Sequence, residues 1–355
     1  MVKRQLTATG CLVTMLVTAV AAAPPGQADD GYTVHPGESI QKAVDAAQPG
    51  DTVRLAPGTY RESVRIDKPG LTLRGAGERT VLRPPAGRAA TRAAGDCGKD
   101  GNGICVLGGP GHRVADVALR SLTVEGFRKS GVWASGTDRL SVRDVTARDM
   151  GQWGIAQQES VRATVRGNTV TGNGDAGIFV ANTVDEEGGA LDTQGTDIRG
   201  NTVTGNRIGI TARRVRHLDI ARNDITGNCS GVFVVGDESR PRGGDLSVRG
   251  NNVSENTRKC PATKRLPALQ GVGIVLTGAE GTEVTGNLVR DNAGDSPMAG
   301  GIVLFRSFVG ARNERNEVTG NILLGNKPDL ANRDTATSNH FTRNTCRISQ
   351  PAGLC

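Results

Sequence analysis

Aromatic side chains are scarce in this 355-residue chain, at 3% of the total. A globular α/β enzyme of this length usually buries more of them, so a broad mixed core is not expected. The most apolar stretch, Cys11–Ala23, is too short for a stop-transfer helix, and no membrane span is expected. No block of Lys and Arg with interleaved aromatics occurs, which argues against nucleic acid as a partner. There is no Cys-x-x-Cys and no suggestive His pair, which argues against zinc. No P-loop or dinucleotide fingerprint accompanies the many glycines, so they read as corners, not phosphate cradles.

What is present is a leader, a set of cysteines and a repeat. Lys3 and Arg4 precede the apolar run, which ends in Ala21-Ala22-Ala23. Charge, short apolar core and small residues in that order predict a secretory signal over residues 1–28, with cleavage after Ala23 or Ala28. The expected location is therefore extracellular. Removing those residues lowers the formal net charge from +7 to +5, which permits an anionic substrate without demanding one. Six cysteines remain, an even number that suits disulfides in an exported chain. The pairs expected are Cys97–Cys105, Cys229–Cys260 and Cys346–Cys355.

One phrase recurs. Val165-Arg-Gly-Asn168-Thr-Val-Thr-Gly-Asn173 leads to Gly177-Ile-Phe-Val180. Ile198–Asn206 leads to Gly209-Ile-Thr-Ala212, and Ile220–Asn228 to Gly231-Val-Phe-Val234. Val248–Asn256 and Val284–Asn292 repeat it with insertions before Gly273 and Gly301. The spacing is roughly two dozen residues, and apolar and polar positions alternate as in strands. No helix-length segment lies between these strands, which excludes βαβ and leucine-rich architectures. Short strands wound in one direction stack into parallel sheets along an axis. The first Asn of each copy then shares one corner and the second another, where amides can form ladders between coils. Asn also tolerates left-handed backbone. Cys229 and Cys260 fall at the same corner one coil apart, so a bridge there is geometrically easy.

Residues 29–60 read as a cap. Thr33-Val34 is a short strand, and Glu38–Ala47 has helical spacing with Ile40, Ala43, Val44 and Ala47 on one face. An open solenoid end exposes core and strand edge, and repeat proteins cover it. Residues 61–355 form the repetitive body, its far end closed by Cys346–Cys355.

The chain resembles the pectin-lyase-like right-handed parallel β-helix superfamily, above all secreted bacterial proteins with short parallel-β-helix repeats. The phrase from Ser39 to Tyr60 carries that resemblance, and it extends from about Tyr32 to Cys346. It implies an all-β, single-domain solenoid with a short N-terminal capping helix. Its members include polysaccharide lyases, hydrolases, uronan epimerases and non-catalytic proteins, so fold alone does not give function.

In such enzymes the site lies on the outer face of one sheet. Here that sheet comprises the Gly-Ile/Val-x-Val strands, whose outward positions are Trp133, Ala156, Phe179, Thr211, Phe233, Val275 and Val303. Two residues on, the same face carries Ser135, Gln158, Ala181, Arg213, Val235, Thr277 and Phe305. Trp133, Gln158, Phe179, Phe233, Phe305 and Arg306 are the candidate substrate contacts. This apolar stripe suits stacking on sugars, a hydrophobic small molecule, or burial under a loop. The Asp-x-His pattern of mannuronan epimerases is absent. The loops after the strands carry charge: Asp185, Glu186, Glu187 and Asp192 in one, Asp237, Glu238, Arg240 and Arg242 in another. Arg213, Arg214 and His217 lie between them. The candidate catalytic set is Arg213, Arg214, His217, Asp185, Glu187, Asp237 and Glu238. Asp185, Glu186 and Asp192 are candidate calcium ligands; no other cofactor is suggested. The 257–270 loop, with Arg258, Lys259, Lys264 and Arg265, can rim the groove. Three readings follow: lyase-type cleavage of an acidic polysaccharide, a non-catalytic carbohydrate- or protein-binding surface, and a small-molecule cyclase or isomerase using an apolar cleft.

Overall fold

Why each coil turns where it does is visible at its corners. The computed structural model describes residues 32–85, 95–109 and 111–355; the expected signal sequence lies outside them. In the coil from Thr164 to Ala181, strand Thr164–Arg166 bends at Gly167 (φ 66°) into strand Thr169–Thr171. That strand bends at Gly172 (φ 68°) toward strand Ala176–Ala181. The left-handed residue is thus the one before each Asn, not the Asn itself. The role passes to Arg222, Glu255 and Asp291 in other coils.

The asparagines instead turn inward and tie coil to coil. Asn168 donates Nδ2 to Asn201 Oδ1 at 2.9 Å, Asn201 to Asn223 at 2.9 Å, and Asn223 to Asn251 at 3.0 Å. A second ladder runs from Asn173 through Asn206, Asn228, Asn256 and Asn292 to Asn326. All are buried, and each amide also satisfies a backbone carbonyl such as Val165 O or Ile198 O. A buried polar side chain survives in an apolar core only when bonded in this way.

Every strand pairing within the solenoid is parallel. The first and second strands of each coil merge into a twenty-stranded sheet and the third strands form an eleven-stranded sheet. Between them one apolar core runs the length of the solenoid, with Val165, Val170, Ile178, Ile198, Val203 and Ile210 all within 1% of complete burial. Gly31–Cys355 is a single unit, as a stacked core requires. The fold is the right-handed parallel β-helix that the repeat predicts.

At the N-terminus, helix Ile40–Ala46 lies over the first coil. Ser39 caps it, accepting from Lys42 N at 3.3 Å, and Glu62 accepts from Ile40 N at 2.5 Å, where the helix dipole favours an anion. Gln41 bonds both the backbone N–H and C=O of Arg65, satisfying an otherwise open strand edge. A second short helix, Asp96–Asp100, carries Cys97. The three disulfides are Cys97–Cys105, Cys229–Cys260 and Cys346–Cys355. Among the described residues no helix is long and apolar enough to cross a membrane.

Candidate functional site

The outer face of the eleven-stranded sheet has the register that the repeat implies. Trp133, Ala156, Phe179, Thr211, Phe233, Val275 and Val303 stand side by side, and Gln158, Ala181, Arg213, Val235, Thr277 and Phe305 form the next row. A further outward row was not legible from alternation. In strand Trp153–Gln158 the alternation breaks at Gly154, which faces the core together with Ile155. A Cβ there would stand 2.7 Å from Gly177 O and 2.9 Å from the Asn173 amide, so only glycine fits. The residue before the glycine is thereby turned outward. Trp153 and Ile208 join the outer apolar layer in this way.

This layer is roofed. Phe179 is 7% exposed, Phe233 3% and Val303 0%. The covering segments are residues 182–190, 257–270 and 306–312. Gln158 fixes the first: its Oε1 accepts from Val184 N at 2.9 Å while its Nε2 donates to Ser135 Oγ at 3.1 Å. Asn182 binds Gly188 O and Gly189 O, and Ala190 N donates to Pro241 O at 2.7 Å. The second segment is held by Cys229–Cys260 and by Arg207, which donates to Pro261 O at 2.6 Å and Pro267 O at 3.4 Å. Leu266 and Arg265 then overhang the sheet.

Between roof and sheet runs a cleft of about 420 Å³. It adjoins a hollow of about 490 Å³ that reaches Trp133 and Lys129, and the two share Gln152, Trp153, Asp175, Val184, Asp185, Arg265 and Leu266. Trp133, Trp153 and Phe179 stack along one wall, with ring centroids 5.8 and 4.5 Å apart and planes within 17° and 11°. The floor includes the Thr211 and Thr277 hydroxyls, each buried and without a hydrogen-bond partner among the described residues. Such groups are costly unless something supplies the missing bond.

Asp175 is the group that sequence reasoning missed. Its Oδ2 accepts from Trp153 Nε1 at 3.2 Å. Burial raises its pKa above the usual 3.8, against the opposing pull of Trp153, Arg207 and Arg265. Arg213, half-buried, donates Nη1 to Val184 O at 3.3 Å. Burial, then the nearby charges of Arg214 and Arg265, lower its pKa, yet an arginine stays protonated. The cleft therefore holds, toward one end, a carboxyl whose pKa burial raises, with Arg207 and Arg265 as its nearby cations, and toward the other end the half-buried Arg213, which also feels the charge of Arg265.

Of the expected catalytic residues, Arg213, Arg214, Asp185, Glu187 and Asp237 all line this cleft. Three of them satisfy one another: buried Arg214 bonds both Asp237 and Glu187, and donates Nη1 to Glu186 O at 3.3 Å. They tie the 182–190 and 236–244 loops together. His217 and Glu238 do not reach the cleft. The chain turns off the eleven-stranded sheet at Arg214 (φ 51°), so His217 sits on the twenty-stranded sheet and pairs its Nδ1 with Asp192 Oδ1 at 2.9 Å. That placement also separates Asp192 from Asp185 and Glu186. The three candidate calcium ligands are not brought together, and among the described residues no group of three His, Cys, Asp or Glu is placed to hold a metal. Of the candidate substrate contacts, Trp133, Phe179 and Phe233 line the cleft and its adjoining hollow, Gln158 is a loop anchor, and Phe305 packs on exposed Phe308 5.6 Å away. Arg306 is exposed and lies outside the lining. Asp175 precedes the strand glycine Gly177 by two residues, a position the repeat gives no reason to single out.

Solved structures resemble most of this chain. The A-module of mannuronan C-5 epimerase AlgE4 from Azotobacter vinelandii is 18% identical, with a TM-score of 0.57 over 87% of this chain and 90% of that one. An alginate lyase from Paenibacillus sp. is 15% identical, with a TM-score of 0.55 over 89% and 98%. A DFA-IIIase from Arthrobacter chlorophenolicus A6, without its lid, is 14% identical, with a TM-score of 0.54 over 91% and 92%. At these identities the likeness is one of fold. No curated protein sequence matches. The family model for the right-handed beta helix region matches residues 96–241, 130–308 and 190–348, more than half of the chain, and the protein belongs to that family.

Proposed function

We propose that this protein is an exported enzyme that acts on carbohydrate, and that the roofed cleft takes a short stretch of an acidic saccharide. The observation that carries this reading is Asp175: a carboxyl with a raised pKa, held by an indole N–H, near Arg207 and Arg265, in a cleft that Arg213 also lines. The stacked Trp133, Trp153 and Phe179 suit sugar faces, and the unpartnered Thr211 and Thr277 hydroxyls suit sugar hydroxyls. Structural neighbours named as alginate lyase and mannuronan epimerase support an acidic sugar as substrate class.

In the lyase reading, Arg265 holds the uronate carboxylate and acidifies the adjacent C5–H, while Arg213 binds an acidic sugar farther along the cleft. A carboxylate, Asp185 on the same rim, takes that proton. The C4–O bond breaks, C4=C5 forms, and Asp175 protonates the departing oxygen. Hydrolysis by the same two carboxyls is the second reading, since both line one cleft.

The test is to incubate the mature protein with uronan oligosaccharides and follow ultraviolet absorbance of the unsaturated uronate together with reducing ends. Asp175→Asn should lower kcat about 10²–10⁴-fold, and Arg213→Ala should raise KM for acidic sugars. New absorbance means elimination, and reducing ends without it mean hydrolysis. Silence in both channels, with acidic and neutral sugars alike, overturns the proposal.

A further inference from the structure

The first strands of successive coils carry a row of arginines on a face that the cleft does not use. Arg54 lies beside Arg74, Arg74 beside Arg120, Arg120 beside Arg143, and Arg143 beside Arg166, all in register. Adjacent strands stand about 4.8 Å apart, so the row is about 19 Å long. Arg54, Arg74, Arg120 and Arg166 are exposed and Arg143 is half-buried. Among the described residues Arg74, Arg120 and Arg166 enter no ion pair, and Arg143 donates only to Ser141 Oγ at 3.1 Å.

Like charges set directly opposite in a sheet repel. The following coils show how the fold removes that cost. Arg199, next in the row, bonds Asp197 and Asp219 at 3.2 and 3.0 Å, and Arg249 bonds Asp219 at 2.5 Å. Over the first five rungs the positions equivalent to Asp197 hold Thr52, Thr72, Ala118, Ser141 and Thr164 instead. The bordering acids Asp116 and Asp138 are occupied by Arg139 and Arg162. Small side chains beside the arginines leave a shallow trough of about 520 Å³. Among the described residues Arg74, Arg120, Arg143 and Arg166 are thus kept in line, exposed or half-buried, without an internal counter-charge.

We propose that this row binds an extended acidic polysaccharide lengthwise, one anionic group per rung or two, and so anchors the polymer on a face separate from the cleft. Charge complementarity and the linear spacing identify the occupant as a thin chain with regularly repeated carboxylates. Single-stranded nucleic acid would use aromatic stacking platforms, and no aromatic stands in this row. The proposal stands on this face alone and does not rest on the chemistry assigned to the cleft.

The experiment measures binding of labelled polygalacturonate to the intact protein. Parent protein should bind at low salt and weaken as salt screens the pairs. Arg74→Thr, Arg120→Thr and Arg143→Thr together should weaken binding about 30-fold, from about threefold per rung. The three Lys substitutions should keep most of it and also the fold. If the Thr triple variant loses its circular dichroism signal, the single Arg120→Thr decides through its threefold loss. In an Arg213→Ala background the Thr triple variant should show the same further loss, since cleft and row bind separately. Equal binding by the Thr variants, equal binding of fully methyl-esterified polymer, tighter binding of single-stranded DNA or of phosphatidylserine vesicles, or no further loss from the Thr substitutions in the Arg213→Ala background would each overturn it.

Discussion

Asp175 should leave a signature in stability as well as in turnover. Its folded pKa lies above the ordinary 3.8 because burial penalises the ionised form. Below 3.8 it is protonated folded and unfolded, so it costs nothing. As pH rises through the raised value, the folded chain must ionise a carboxyl in the cleft, and stability falls. Asp175→Asn keeps an acceptor for Trp153 Nε1 and removes that charge. The variant should therefore melt above the parent at neutral pH, with the advantage shrinking to nothing on acidification. Thermal scans of both proteins across the acid range check this. An advantage independent of pH would mean that charge burial is not its source. Such a trade of stability for function is common where an active group is held in an unfavourable protonation environment.

At the scale of the strand, a single glycine decides which side chains the cleft receives. Gly154 faces inward, so Trp153 faces outward to the Asp175 carboxyl. Gly154→Ala would press a methyl against Gly177 O and the Asn173 amide, both fixed by sheet and ladder. It should cost about 1–3 kcal/mol as overpacking, read by denaturant unfolding, and should shift Trp153 fluorescence. A variant of unchanged stability would show that the strand can yield there. This break in alternation also explains what the sequence concealed. The coil was legible because its signals are local: Asn at two corners, Gly before the third strand, Val and Ile between. The outward rows of Trp133 and Arg213 followed from period two alone. Trp153 and Asp175 did not, since they precede the glycine where the period resets. Nor could spacing show that residues 182–190 and 257–270 fold back over the sheet, because Gln158, Arg207 and Arg214 reach them through contacts 26 to 60 residues distant in the chain. His217 looked close to Arg213 for the opposite reason: four residues along the chain cross a corner onto a different sheet.

Over the whole molecule, charge and stability both vary along the axis. The row that begins as Arg54, Arg74 and Arg120 meets acids at Asp197, Asp219, Glu283 and Glu317 farther along the same sheet. A polyanion is thereby confined to the N-terminal half. The two ends are also closed differently. The N-terminal helix buries Ile40 and Val44 over the first coil. The C-terminal coil has no helix; Phe341, Cys346 and Leu354 only partly cover the core, and Ile322, Leu324 and Ile348 stay largely exposed. What holds it is the Asn321–Asn344 bond of 3.0 Å, the short pairing of Leu330-Ala331 with Ser349-Gln350, and Cys346–Cys355. In a solenoid each coil touches only its neighbours, so loss at one end need not spread. Replacing both Cys346 and Cys355 by Ser should cost about 2–3 kcal/mol, confined to the last coils. Hydrogen exchange should quicken across residues 330–355 and stay unchanged across 164–235, where the ladders and roof are intact. Uniformly faster exchange along the whole chain would instead mean that the coils unfold together, and that the tail disulfide guards the entire core and not just its final rung.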